Sequence, residues 1–301
     1  MKEIGDQYSK DDLTDKSGFL KRARLHQSKF RADVLNLPFE TYGNYLTSID
    51  GECGNNFYNG FGVFDAVKKR YPNYSKPLYS NMLRSEHIPF NFFIPLSENK
   101  ELFKNVFNDI LSIDINTIDL IEIEYAPKPS IKYLNDATSF DAYIEYTTTD
   151  NTKGIIGIEV KYTERDYTIG KDSKEKKDID NSNSLYYQRT KECELFRQED
   201  IPKLKTDNFR QVWRNHLLGE SILIEDKVKF NHFTSMTFFP KENQHFVKTS
   251  KEYMNMLLRN DNNFIPITFE RFFELIKKYC PNDNYRNWIY YLEMRYIINI
   301  E

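Results

Sequence analysis

Three observations predict a mixed α/β (α+β) fold, a central sheet flanked by helices. Strand-like runs at 119–125, 139–147 and 154–162 follow one another closely. Helical periodicity precedes them at 98–112 and returns after them at 207–225. Two more strand-like runs, 232–240 and 263–269, are each followed by helical sequence.

The elements are justified in chain order. Residues 1–17 are polar, and 18–37 predict a helix with Ser17 as its cap. Within it, KRARLHQSKFR carries five cations and no acid. That run reads either as a solvated face or as phosphate contacts by Arg24, Lys29 or Arg31. Residues 38–77, rich in Gly, Asn and Tyr, read as loops, and the mostly apolar NMLRSEHIPFNFFIPL embeds Glu86. In 98–112, Leu102, Phe103, Val106, Phe107, Ile110 and Leu111 recur at helical spacing. DLIEIEY alternates, placing Ile121, Ile123 and Tyr125 on one face and Glu122 and Glu124 on the other. TTTDNTKG reads as a hairpin turn, 165–184 as a charged loop, and 207–225 as a helix that Asp207 caps. The expected organisation is an N-terminal helical and loop-rich extension (1–97), a core (98–270) and C-terminal helices (271–301).

Composition narrows the function classes. The chain has 301 residues, 40% hydrophobic and 29% charged, which suits a globular protein. A net charge of −3 gives no global basic field, although a groove can be basic in an acidic protein. Cys53, Cys193 and Cys280 are far apart and form no CxxC pair, which argues against a zinc knuckle and for a reducing compartment. The N-terminal MKEIGDQYSKDD is no secretory signal, and no apolar run is long enough to span a bilayer, so a cytoplasmic location without membrane association is expected.

The informative stretch is SFDAYIEYTTTDNTKGIIGIEVKYTE, residues 139–164, which places Asp141, Glu159 and Lys161 inside apolar runs. A hairpin with its tip near Asp150 and Asn151 sets Asp141 opposite Glu159 or Val160. Strand alternation turns Glu159 and Lys161 to one face, which Asp141 joins at a cross-strand separation of about 5 Å. If the preceding strand pairs antiparallel, Glu124 comes close to Asp141. Clustered carboxylates repel and raise each other's pKa, and a divalent cation relieves this. Oxygen donors without His or Cys suit Mg²⁺, with Mn²⁺ as the alternative. A lysine beside the ion can orient water and offset phosphate charge. By itself Glu-x-Lys is frequent on solvated sheet faces; here it closes the apolar run GIIGI, and another strand supplies an aspartate at matching depth. Glu145, deeper toward the turn, is expected to be structural or solvent-facing.

This pattern resembles the PD-(D/E)XK nuclease superfamily, with Asp141 at the Asp position and Glu159-Val160-Lys161 as the (D/E)xK. Ser139-Phe140 stands where a Pro often precedes the Asp. RLHQSKFR, NMLRSEHIPFNFF, EIEYAP, SFDAYIEY, GIEVKYTE and RQVWRNHLL look like the ordered blocks of a bacterial family within it. The resemblance implies a restriction-endonuclease-like fold and a metal-dependent phosphodiesterase acting on nucleic acid, most often DNA, often as a homodimer. It implies metal binding by Asp141, Glu159 and the Val160 carbonyl, with Lys161 at the attacking water and Glu124 as an auxiliary carboxylate. It also implies Gln211 near the site, on a helix face continuing through Arg214 and Asn215 as candidate nucleic-acid contacts, and another acid at Glu86. Two other functions stay open: a catalytically silent module binding nucleic acid or a protein partner, and a hydrolase of a small phosphate substrate.

Overall fold

The computed structural model describes residues 2–5, 15–165, 167–259 and 263–298. Helices of seven residues or more are α1 (Phe19–Lys29), α2 (Val63–Arg70), α3 (Ile88–Ser97), α4 (Lys100–Leu111), α5 (Lys174–Asp180), α6 (Leu185–Glu192), α7 (Arg210–Glu225), α8 (Gln244–Asn255), α9 (Phe269–Lys278) and α10 (Asp283–Tyr296). The strands are β1 (Ile115–Tyr125), β2 (Phe140–Thr148), β3 (Lys153–Val160), β4 (His232–Phe239) and β5 (Phe264–Thr268), in that order across one sheet. The β1–β2 and β2–β3 pairs are antiparallel, whereas β3–β4 and β4–β5 are parallel. Among the described residues no helix is long and apolar enough to cross a membrane.

Strand alternation divides the core in two. Ala142, Ile144, Ile156, Ile158, Met236 and Phe238 face a cluster closed by α3, α4, α9 and α10 and joined by Phe19 and Ala23 of α1. Tyr143, Ile155 and Phe233 face the other cluster, closed by α7 and α8. The acidic positions of β2 and β3 fall on this second face. Gly219 lets α7 lie close upon it: a Cβ there would stand 1.9 Å from the Phe233 ring.

Several local expectations are corrected. Ser17 does not cap α1; the cap is Gly18 at φ 67°, and the Asp15 carboxylate accepts from the Leu20 N–H at 2.7 Å. The regular helix ends at Lys29, continues as a wider π-helical segment over Phe30–Leu35, and stops at left-handed Asn36. The 38–77 region contains α2, and the 165–184 segment contains α5, capped by Ser173 accepting from the Lys176 N–H at 3.1 Å. Asp207 holds the Arg210 guanidinium at 2.6 Å instead of capping a helix that begins at Arg210.

In β1, Tyr125 does not share a face with Ile123. Glu124 adopts φ 58°, which breaks the two-residue repeat. Tyr125 turns into the second cluster and stacks on Tyr143 at 4.0 Å.

Gly219→Val is expected to destabilise the fold by about 1–3 kcal/mol through overpacking against Phe233. Chemical denaturation would measure this as a lower midpoint with an unchanged slope.

Candidate active site

The sheet register builds the site. Ile123 pairs with Ala142 and Tyr125 with Phe140, which sets Glu124 level with Asp141. Ala142 pairs with Ile158, which sets Asp141 level with Glu159. Three carboxylates therefore form a row across three strands. Of the two registers open at the sequence level, the pairing selects Asp141 opposite Glu159, and the Asp141 carboxylate also accepts from the Val160 N–H at 2.6 Å.

Glu159 and Lys161 are each 4% exposed, and their side chains meet at 2.5 Å. Helix α7 supplies the rest of the clamp. The Gln211 amide donates to Glu159 Oε1 at 2.5 Å, and the Asn215 amide donates to Oε2. These residues are four apart and so share a helix face. Sequence reasoning placed Asn215 beside Gln211 but gave it to nucleic acid; it holds Glu159 instead.

The electrostatics follow from burial and crowding. Burial, then the charges of Glu159 and Glu124, push Asp141 well above the ordinary carboxylate range. Burial, then Glu159, push Glu124 up to about 7. Burial disfavours the Lys161 ammonium, but Glu159, Asp141 and Glu164 outweigh it and raise its pKa, so the amine stays protonated.

Glu124 is reached from the N-terminal segment. The Arg70 guanidinium donates to its carbonyl at 2.9 Å, and Ser139 Oγ donates to its carboxylate at 3.4 Å. Burial and the adjacent Glu124 raise the Tyr71 hydroxyl to about 12. Glu86 lies on the far side of Glu124, paired with Arg84 at 2.7 Å. No local pattern in the sequence signals Arg70 or Tyr71, because their proximity comes from the packing of α2 beside the end of β1.

The candidate phosphate contacts separate from the site. Arg31 is fully buried and spends its donors on the carbonyls of Gly43, Leu37, Glu3 and Ile4. Arg24 is buried, donates to Asn44 at 2.5 Å and sits over the Tyr42 ring. Lys29 is partly buried on the same helix. This helix supports the site from behind, since Gln27 donates to the Tyr162 hydroxyl at 2.7 Å. Arg214 lines the site cavity but is held by Tyr186, Asp136, Thr138 and Glu175. Glu145 accepts from Lys229 at 2.9 Å and from Tyr143 at 3.1 Å, the structural role expected of it.

The donor set fits a hard cation. A carboxylate offers about four lone-pair sites, and Asp141 and Glu159 together accept four hydrogen bonds, leaving sites that face a cavity of about 170 Å³. Among the described residues no three His, Cys, Asp or Glu side chains are grouped to hold one metal ion. An ion here would take one or two carboxylates and complete its shell with water and substrate, as Mg²⁺ commonly does.

A profile of the PD-(D/E)XK nuclease superfamily matches residues 13–298, and the chain belongs to that superfamily. Its members are generally nucleases that use divalent metals, and the five-stranded mixed sheet is consistent with their restriction-endonuclease-like fold. No curated protein and no solved structure matches the chain.

Glu124 has a predicted effect on pH-dependent stability. Its carboxyl stays neutral in the folded protein over a range where it is ionised unfolded. Its contribution is therefore complete below about 4.5 and is lost as pH rises through about 7. In metal-free protein, Glu124→Gln is expected to remove a decline on the order of 1–3 kcal/mol between those limits. Thermal unfolding across that range tests this, and an unchanged pH profile in the variant would refute it.

Proposed function

We propose that this chain is a Mg²⁺-dependent endonuclease that hydrolyses phosphodiester bonds in DNA. The observation that carries the reading is the row of Glu124, Asp141 and Glu159 beside a protonated, buried Lys161. Asp141 and Glu159 would hold the ion, with the Val160 carbonyl as a further ligand and Glu124 as an auxiliary carboxylate. When bound, the ion would supply a water of lowered pKa and charge stabilisation at the scissile phosphate.

The side chains divide the remaining work. Gln211 and Asn215 fix both oxygens of Glu159, so its carboxylate is oriented before any ion arrives. Lys161 holds its proton, which suits it to orienting a water and meeting phosphate charge, and unsuits it to removing a proton. The product ends expected from this arrangement are 5′-phosphate and 3′-hydroxyl. The restriction-like fold supports a role in restriction or defence.

The alternative is a silent module that binds nucleic acid or a protein. The intact set of Asp141, Glu159 and Lys161 weighs against it, because a silent descendant has no need to retain all three.

Plasmid and single-stranded DNA incubated with Mg²⁺, Mn²⁺ or EDTA provide the test. Cleavage is expected with the metals only. Asp141→Ala and Lys161→Ala should each lose at least about a hundredfold in rate. Gln211→Ala should raise the Mg²⁺ concentration needed for half-maximal rate by about 10–100-fold. Cleavage that persists in EDTA and in both alanine variants would remove the assignment.

A further inference from the structure

The carboxylate row stands between two unlike cavities. On one side lies the polar cavity lined by Asp141, Glu159 and Gln211. On the other lies a cavity of about 320 Å³, walled by Arg70, Tyr71, Pro72, Asn73, Pro77 and Glu124. Its surface combines a tyrosine and two prolines with the Asn73 amide, the Arg70 guanidinium and two carboxylates, Glu124 and the Arg84-paired Glu86. The Tyr71 ring is fixed in place: its hydroxyl faces Glu124, Phe90 meets it edge-on at 6.3 Å, and the Arg70 guanidinium lies 5.2 Å from its centroid. The volume falls within the usual range of small-molecule sites. Pro72, Asn73 and Arg70 are exposed, so the cavity opens to solvent.

We propose that this cavity receives one nucleobase of the substrate strand, beside the phosphodiester presented to the carboxylate row. The proposal rests on the nuclease reading. Glu124 is a wall of the cavity and a member of the row, so a nucleotide whose base is seated here keeps its phosphate at the acidic centre. The Tyr71 ring and the two prolines offer a stacking surface that accepts any base, and the Asn73 amide can bond to a base edge. A base in a continuous duplex is stacked and paired, and it reaches such a cavity only by leaving the helix. A single strand or an unpaired end needs no such extrusion. The enzyme therefore favours strands whose bases are free.

Binding measured in EDTA separates this proposal from catalysis. Fluorescence anisotropy would compare a single-stranded oligonucleotide, an all-abasic strand of the same length, and a duplex closed by hairpins at both ends. Phosphate contacts are matched between the two single strands, so their difference reports the base. The intact strand is expected to bind about 5- to 100-fold more tightly than the abasic strand. Replacing Pro72 and Asn73 together by alanine should shrink that ratio; both are exposed, so the fold is retained. Equal affinity for intact and abasic strands, absence of binding to either, or a closed duplex bound as tightly as the intact strand would each overturn the proposal. Parallel Mg²⁺ digests distinguish the two readings. Cleavage without base preference removes the cavity's role and keeps the nuclease, whereas base preference without cleavage does the reverse.

Discussion

The site depends on one constraint, the pairing register of three consecutive antiparallel strands. Each step of the register sets one carboxylate level with the next: Glu124 with Asp141, and Asp141 with Glu159. A shift of one residue in either pair would carry an acid to the opposite, apolar face. The register is held by that same alternation, because Ala142, Ile144, Ile156 and Ile158 must enter the first core cluster. Hydrophobic burial thus imposes the crowding of like charge that the proposed metal chemistry would use. The cost is visible in the raised pKa values of Asp141 and Glu124.

That crowding is tolerated because the surroundings answer it selectively. Glu159 receives an ammonium and two amides, and Asp141 receives one backbone N–H. Glu124 receives a long contact from the Ser139 hydroxyl and faces the Tyr71 hydroxyl, and its backbone sits in the left-handed region at φ 58°. Non-glycine residues in that region are uncommon and gather at functional sites, where surrounding structure holds them. Here the holding contact is the Arg70 guanidinium on the Glu124 carbonyl. The row therefore grades from a fully engaged carboxylate on β3 to a weakly engaged one on β1.

Much of this was legible from residue order. Period-two alternation located β1, β2 and β3, and the shared face of Asp141, Glu159 and Lys161 followed from it. Gln211 was placed near the site by family likeness, and α7 brings it to Glu159. The failures share a cause. Arg24 and Arg31 look like free cations in a run of basic residues, but burial converts them into donors for Asn44 and for loop carbonyls. Tyr125 was assigned by alternation, which a single left-handed residue interrupts. Arg70 and Tyr71 lie more than fifty positions from Glu124 in the chain, and only tertiary packing joins them.

The strand behind the ammonium has an unusual brace. Tyr162, next to Lys161, takes a hydrogen bond from Gln27 of α1, and the same amide donates to the carbonyl of Arg295 in α10 at 2.6 Å. The buried Arg295 also reaches the Asn56 carbonyl at 2.7 Å and His87 at 3.1 Å. Segments 268 residues apart are thereby fastened at one point. A chain still on the ribosome has no such fastening until Arg295 has emerged, so β3 and the adjacent Lys161 acquire their full support only after α10 has been made.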